Sequence, residues 1–129
     1  MIIGFTASSF DLLHAGHVLM LQEAIANSTY LIVGLNVNPE NKKCVQTVFE
    51  RYTQLDAIEG IGRIVPYESE ADLLNILEGY ELDIRFLGND YRNKPYTGDQ
   101  LDIPIHFCKR QHGFSTTELK ERVKQHEDT

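Results

Sequence analysis

The chain has 129 residues, 42% of them hydrophobic and 24% charged, which is typical of one soluble domain spanning residues 1–129. No apolar run approaches the ~20 residues of a membrane span, and the first residues lack a secretory leader, so we expect a cytoplasmic protein without membrane insertion. A formal charge of −7 disfavours binding to long nucleic acid, and two cysteines, Cys44 and Cys108, form no disulfide framework.

Apolar runs alternate with helical patterns along the chain. The predicted strands, which have few polar positions as expected for strands covered on both faces, are residues 2–6, 30–37, 82–88 and 103–108. The predicted helices are residues 16–27, 49–60, 70–80 and 115–126. This alternation predicts a Rossmann-like α/β fold, a doubly wound parallel sheet of about five strands with helices on both faces. Ligands bind such folds beyond the carboxyl ends of the strands, so the loops after residues 6, 37, 88 and 108 are predicted to form the site.

Two histidines lie where the loop after the first strand enters a helix, in the segment His14-Ala15-Gly16-His17. The free N–H groups and positive dipole end of a helix N-terminus attract anions, and imidazoles donate hydrogen bonds to phosphate oxygens. Gly16 would let a nucleotide approach the backbone closely. The alternative is that both are ordinary, partly buried histidines. In this position the segment predicts an anion site.

The segment Phe10-Asp11-x-x-His14-x-Gly16-His17 resembles the signature of the cytidylyltransferase-like nucleotidyltransferases, the His-x-Gly-His superfamily. Residues 109–120 are similar to the family's second signature, Arg-x-x-x-x-Ser-[Ser/Thr]-[Ser/Thr], and in length and layout the chain is most similar to bacterial glycerol-3-phosphate cytidylyltransferases. The resemblance implies that Arg110 binds the triphosphate. It also implies that the nucleotide is bound at the start of the last helix by Ser115, Thr116 and Thr117. Independently, Ser115-x-x-Glu118 is typical of a capping box that exposes an anion-binding helix N-terminus.

Further segments match the family in part. The resemblance implies nucleotide binding by Ser9, Phe10, Asp11 and Asp90. It also implies phosphate contacts by Lys42, acceptor binding by Lys43, and acceptor binding or dimer support by Arg51. For the two lysines, the alternative is a solvated pair of charges.

The sequence departs from the family pattern at three places. A glycine before Ser9 is lost, Asn89 replaces an acid, and segment 67–73 is acidic where some relatives have a basic contact.

The predicted reaction is transfer of CMP from CTP to a phosphorylated alcohol, with glycerol 3-phosphate as the leading acceptor and pyrophosphate as the product. His14 and His17 donate to the phosphate chain, while Lys42, Arg110 and a Mg²⁺ that arrives with the nucleotide balance the developing charge. No protein metal ligand is predicted. Relatives of this size imply a homodimer.

Three alternatives stay open. The first is adenylyl transfer from ATP to pantetheine phosphate, nicotinamide mononucleotide or heptose phosphate, which relatives with the same motif carry out. The second is a nucleotide-binding module that releases no pyrophosphate. The third is a zinc site built from His14, His17, His106, His112 and the cysteines, whose spacings match no common zinc pattern.

Overall fold

Five parallel strands form one sheet in the computed structural model, which describes residues 1–40 and 42–127; Asn41, at the start of the predicted lysine segment, lies outside the described residues. The strands are β1 (Ile3–Ser8), β2 (Tyr30–Asn36), β3 (Ile61–Tyr67), β4 (Ile84–Gly88) and β5 (Ile105–Cys108). Their spatial order is β3-β2-β1-β4-β5, with every neighbouring pair parallel. The predicted parallel α/β fold of about five strands is confirmed.

In the described residues, three α-helices and one short 3-10 helix connect the strands, and a fourth α-helix follows the last strand. They are α1 (Ala15–Ala26), α2 (Val48–Asp56), α3 (Glu70–Gly79), α4 (Thr116–Glu127) and the 3-10 helix Asn89–Asn93. None of the helices in the described ranges is long and apolar enough to cross a bilayer.

The sheet is covered by helices on both faces. Leu21 of α1 and Leu55 of α2 are fully buried in the cluster that contains Phe86 of β4. Leu73 and Leu77 of α3 pack in a second cluster that contains Phe5 of β1. Apolar side chains of both sets leave water on folding, which is the main stabilising contribution. The core therefore has two layers, with α1 and α2 on one side of the sheet and α3 on the other.

Strand β3 is the element that the sequence pattern does not reveal. The predicted helix over 49–60 ends early, at Asp56, and the chain enters β3 at Ile61. Gly62, Arg63 and Pro66 interrupt the apolar pattern of this strand. An edge position tolerates these residues because one side of the strand needs no ladder partner, and β3 pairs with β2 alone.

The sheet order reverses between β1 and β4. These strands end at Ser8 and Gly88, so the loops that follow them diverge at one point of the sheet edge. A crevice at such a reversal is where α/β sheets bind ligands.

Candidate active site

His14 and His17 cap the N-terminus of α1 with their side chains. His14 is the N-cap residue, and its Nδ1 accepts a hydrogen bond from the backbone N–H of Gly16 at 3.0 Å. The backbone N–H of His14 donates in turn to Nδ1 of His17 at 3.1 Å. Because both Nδ1 atoms accept, the proton of each neutral ring lies on Nε2. Each ring thus has one N–H that the cap does not use.

Gly16 is required by the packing of the imidazoles. A Cβ at this position would lie 2.9 Å from Cε1 of His14 and 3.2 Å from Cε1 of His112. A side chain at this position would therefore displace His14 and His112. The rings of His14 and His17 lie close together, with centroids 3.9 Å apart.

Both histidines are held in the neutral form. Burial lowers the pKa of His17 to about 4, helped by His14 and Lys42 and opposed by Asp11. Burial also lowers the pKa of His14, with nearby His112, Lys42 and Arg110 acting in the same direction and Glu118 opposing them. A neutral imidazole keeps the Nδ1 lone pair that the cap needs. At neutral pH the pair acts as hydrogen-bond donors through Nε2.

The histidines open onto a cavity of about 330 Å³, which we call the histidine cavity. It lies between the carboxyl ends of β1, β4 and β5 and the start of α4. The predicted site residues that line it are His14, Gly16, His17, Asp90, Arg110 and Ser115. The loops after the first, fourth and fifth strands thus meet as the topology predicts.

His112 lines the same cavity and was not predicted as a functional residue outside the zinc alternative. Its Nδ1 accepts from the backbone N–H of Phe114 at 3.1 Å, and the two rings stack with centroids 5.1 Å apart. Its position between Arg110 and Ser115 in the second signature is the signal that would have singled it out.

Arg110 and Ser115 lie at the entrance to α4. The Ser115 hydroxyl accepts from the backbone N–H of Glu118 at 3.0 Å, as the predicted cap requires. One guanidinium nitrogen of Arg110 donates to the carbonyl of Phe114 at 3.2 Å, and the side chain is otherwise exposed. The remaining guanidinium donors are therefore available to an anion in the cavity.

Arg51 is buried, whereas a residue that binds the acceptor must be accessible to it. It is 2% exposed, and its guanidinium donates to four backbone carbonyls, those of Ser9, Asn36, Val37 and Gln46, at 2.7–3.3 Å. A guanidinium occupied in this way has no free edge for a phosphate. We correct its predicted role: Arg51 ties the loop after β1 to the loop after β2.

Asp11 requires a similar correction. Its carboxylate is fully buried and accepts from the backbone N–H groups of Val45 and Gln46, both at 2.9 Å. Burial alone raises the pKa of Asp11, but the two hydrogen bonds and the charges of Lys42 and Lys120 outweigh it and lower the pKa. Asp11 is an ionised structural group that positions the loop containing Lys42.

Ser9 and Phe10 also do not line the histidine cavity, and the nucleotide binding predicted for them stays a prediction. Ser9 is 9% exposed, and Phe10 is fully buried with a left-handed backbone, φ 49°. The Phe10 ring packs near His17, with centroids 5.7 Å apart. Such a strained conformation needs strong anchoring, which the buried ring and the neighbouring Asp11 provide.

The other residues predicted to contact the nucleotide or acceptor do not line the histidine cavity. Lys42 and Lys43 are exposed on the loop after β2, and Lys42 is close enough to lower the pKa of both cap histidines. The Thr116 hydroxyl lies 3.5 Å from the carbonyl of Asp11, and Thr117 is exposed. Phosphate contacts by these four residues stay predictions.

The zinc alternative is not supported by the arrangement of the histidines. In the described part of the chain, the one group of three ligand types with donor atoms close together is Glu23, His106 and Cys108. It contains His106 and Cys108 of the zinc alternative, but not His14, His17 or His112. The Glu23 carboxylate already accepts from Nε2 of His106 at 2.6 Å and from the backbone N–H of Lys109 at 3.1 Å.

Comparison with known proteins gives one family. The cytidylyltransferase-like family model matches residues 5–122. The bifunctional protein HldE of Helicobacter pylori (strain HPAG1) is 32% identical over 128 residues, which are 95% of this chain and 27% of that protein. The bifunctional protein HldE of a Nitratiruptor species is 31% identical over 130 residues, with 95% and 28% covered. The chain therefore spans little more than a quarter of the length of these relatives.

Two solved structures share the fold. A lipopolysaccharide core biosynthesis protein from Thermoplasma volcanium GSS1 has a TM-score of 0.63 at 19% identity, with 97% of this chain and 88% of that chain covered. A putative nicotinate-nucleotide adenylyltransferase from Vibrio parahaemolyticus has a TM-score of 0.67 at 15% identity, with 98% and 89% covered. The alignments extend over almost the whole sheet and its helices.

Proposed function

Because the chain belongs to the cytidylyltransferase-like family, we propose that it catalyses transfer of a nucleotidyl group from a nucleoside triphosphate to a phosphorylated acceptor. An acceptor phosphate oxygen forms a bond to the α-phosphorus, the bond from that phosphorus to the β-bridging oxygen breaks, and pyrophosphate leaves. The observation that carries the proposal is the histidine pair. Two neutral rings, fixed by one helix cap, leave their Nε2 donors beside Arg110 at the point where the sheet order reverses.

The chemistry requires positioning and charge neutralisation more than a covalent group. Phosphoryl transfer passes through a loose, in-line transition state in which charge builds up on the leaving pyrophosphate. Donors that are already fixed stabilise this charge without reorganising. The Nε2 groups of His14 and His17 serve the reacting centre, while Arg110 and the α4 N-terminus bind the β- and γ-phosphates. Lys42 adds positive charge from the loop that Asp11 holds.

A magnesium ion fits this arrangement when it is bound mainly by the nucleotide. Among the residues that line the histidine cavity, Asp90 is the one carboxylate, and it also pairs with Lys94 at 3.6 Å. Mg²⁺ is commonly held by one or two carboxylates, substrate phosphates and waters, so Asp90 is the residue that would hold it. The ion would supply charge neutralisation for the phosphates.

CTP and glycerol 3-phosphate are our first candidates for nucleotide and acceptor. The family description and the two sequence signatures support CTP. The similarity to HldE proteins favours a second candidate, adenylyl transfer from ATP to an acceptor such as heptose phosphate. The two candidates share the histidine pair and differ in the base and acceptor contacts.

An exposed apolar surface supports the homodimer. Val45, Val48 and Tyr52 are partly exposed and Phe49 is 80% exposed around the start of α2. Contiguous exposed apolar residues commonly mark an interface between chains. Sedimentation of the wild type beside Phe49→Ser tests this: a dimer that the substitution dissociates is expected, and a wild-type monomer would contradict it.

A pyrophosphate-release screen tests the proposed function. It crosses CTP, ATP, GTP and UTP with glycerol 3-phosphate, phosphocholine, phosphoethanolamine and sugar phosphates, with Mg²⁺ present. We expect release with CTP, and CTP should raise the melting temperature most because it binds the folded state. Release with ATP alone would select the adenylyl candidate. If a nucleotide raises the melting temperature but no combination of substrates releases pyrophosphate, the protein would be a nucleotide-binding module. That result would contradict the proposed enzymatic activity.

A further inference from the structure

A second cavity, of about 440 Å³, adjoins the histidine cavity, and the two share Ser8, Met20 and Gly88 in their walls. We call it the arginine cavity because Arg85 lines it. Arg85 lies in β4, paired in register with Phe5 of β1, and is 4% exposed. A buried charged residue within a strand is unusual, since Arg is almost never fully buried without a partner.

The guanidinium of Arg85 has no ionic partner in the described residues. The ion pairs found there join Asp90 to Lys94, Glu23 to His106, and Glu118 to Arg122. Nη1 of Arg85 donates to the carbonyl of Thr97 at 2.5 Å, and the group lies over the Tyr96 ring at 5.3 Å from its centroid. These contacts orient the guanidinium and leave its charge uncompensated.

Two donor atoms of Arg85 have no hydrogen-bond partner in the described ranges. Nε and Nη2 make no hydrogen bond to described residues, yet no fully buried side-chain nitrogen or oxygen in this part of the chain lacks a partner. These atoms are therefore not fully buried, and the arginine cavity is the space that Arg85 lines. The carboxylate nearest in effect is Glu70, which also lines the arginine cavity. It is exposed, accepts from the Thr97 hydroxyl at 2.7 Å and forms no ion pair with Arg85.

A buried, unpaired cation is unfavourable in the protein alone. Burial lowers the pKa of Arg85, against the opposing effects of Tyr96, Tyr67 and Glu70, but a guanidinium stays charged at any physiological pH. Charges that leave water are normally paired within the fold. A ligand that brings a negative group into the cavity would supply the missing partner.

We propose that Arg85 binds an anionic group, a phosphate or a carboxylate, of the second substrate. The inference rests on the proposed function, because the arginine cavity opens onto the centre where the acceptor must attack. Its walls also contain the side chains of Tyr67, Tyr91 and Tyr96, whose hydroxyls suit an acceptor with hydroxyl groups of its own. The acceptor class is thus a small hydroxylated phosphate ester or acid. Arg85 supplies the basic contact that the acidic segment 67–73 lacks.

Anion binding by the full chain tests the role without turnover. The melting temperature is measured against rising inorganic phosphate and, separately, malonate, for wild type, Arg85→Met and Arg63→Met. Arg63 is an exposed strand arginine outside the cavity and is the matched control. We expect an anion-dependent rise in wild type and Arg63→Met that falls by about threefold or more in Arg85→Met. Without anions, Arg85→Met should melt close to wild type, because removal of an unpaired buried charge offsets the loss of the donor to the Thr97 carbonyl.

The opposite pattern would overturn the proposal. A structural arginine predicts a lower melting temperature for Arg85→Met with the anion response intact. An anion response that only Arg110→Ala removes would place the anion in the histidine cavity and also contradict the proposal. A response to phosphate alone or to malonate alone identifies which anionic group Arg85 binds. If Arg85→Met does not fold, Arg85→Lys, which keeps the charge, should fold with a weakened response, whereas an undiminished response would reject the role.

Turnover separates this proposal from the proposed function. With the acceptor identified by the screen, Arg85→Met should raise the acceptor KM by about tenfold or more while the nucleotide KM changes by less than about twofold. An unchanged acceptor KM would reject Arg85 and leave nucleotidyl transfer standing. An Arg85-dependent anion response without pyrophosphate release would reject nucleotidyl transfer and leave the anion site standing.

Discussion

The rings of His14 and His17 lie with their centroids 3.9 Å apart, and each Nδ1 accepts a hydrogen bond from a backbone N–H at the start of α1. The cap therefore fixes both the orientation and the tautomer of the pair. One arrangement serves two purposes, since the same rings stabilise the helix and present Nε2 donors to the histidine cavity. Substitutions must separate these purposes to be informative.

Replacing His14 tests the capping role. His14→Ala removes the acceptor for the Gly16 N–H and should lower the free energy of unfolding by about 1 kcal/mol. His14→Ser keeps an N-cap acceptor and should cost less than half as much. Urea unfolding of both variants measures the difference. Equal losses for alanine and serine would show that the cap hydrogen bond contributes nothing.

Stability should fall as the pH drops from about 6.5 to about 4. The folded pKa of His17 is about 4, below the 6.5 of an unfolded chain, so the unfolded state binds more protons in this window. The lowered pKa of His14 acts in the same direction, and that of Asp11 extends the loss below its ordinary 3.8. We expect protonation of His17 to account for on the order of 2 kcal/mol of this loss in the free energy of unfolding.

His17→Gln is the control for this pH dependence, because glutamine at the third helical position also reaches back to the N-cap N–H. Melts between neutral and acidic pH should show a shallower decline for His17→Gln than for wild type. Parallel curves for the two proteins would mean that His17 does not resist protonation in the folded state.

Arg51 is predicted to control stability and not acceptor affinity. Arg51→Met leaves four buried carbonyl oxygens without their donor, which should cost roughly 3 kcal/mol. Arg51→Lys should recover little, because an ammonium cannot span four acceptors in a plane. Arg122→Met, at an exposed helix position, should change stability by less than about 0.5 kcal/mol. A stable Arg51→Met protein with an altered acceptor KM would restore the acceptor role.

Arg110→Lys should weaken use of the triphosphate despite keeping the charge. A guanidinium grips phosphate with two parallel donors, and an ammonium does not. We expect kcat/KM for the nucleotide to fall by about tenfold or more, with Arg122→Lys as the control. Steady-state pyrophosphate release measures both variants. Wild-type kinetics in Arg110→Lys would show that this side chain does not touch the phosphates.

The parts of the structure that the sequence predicts are those governed by local pattern. Alternating runs determine the α/β topology, and the spacing of His14 and His17 at a helix start is a local signature. Strand β3 is not predicted, because Gly62 and Pro66 indicate a loop in most contexts, although an edge strand tolerates them.

Arg51, Asp11 and Arg85 show the limit of such reasoning. Their roles depend on which backbone groups or cavities the folded chain brings to them, and a charged residue in sequence indicates solvent exposure first. Two signals were present nonetheless. Arg51 lies four residues before Leu55, on the face of α2 that is buried, and Arg85 lies between the apolar Ile84 and Phe86 of β4.

The rate of pyrophosphate release by His17→Ala and His14→Ser tests the histidine mechanism most directly. Both variants remove an imidazole Nε2–H donor, and each loses at most one hydrogen bond of the helix cap, so the fold should survive, as thermal melts will verify. Under the conditions that the screen identifies, we predict that kcat falls by ~10²–10⁴-fold in each, with a smaller change in nucleotide KM. Turnover within about threefold of wild type for both folded variants would contradict the account.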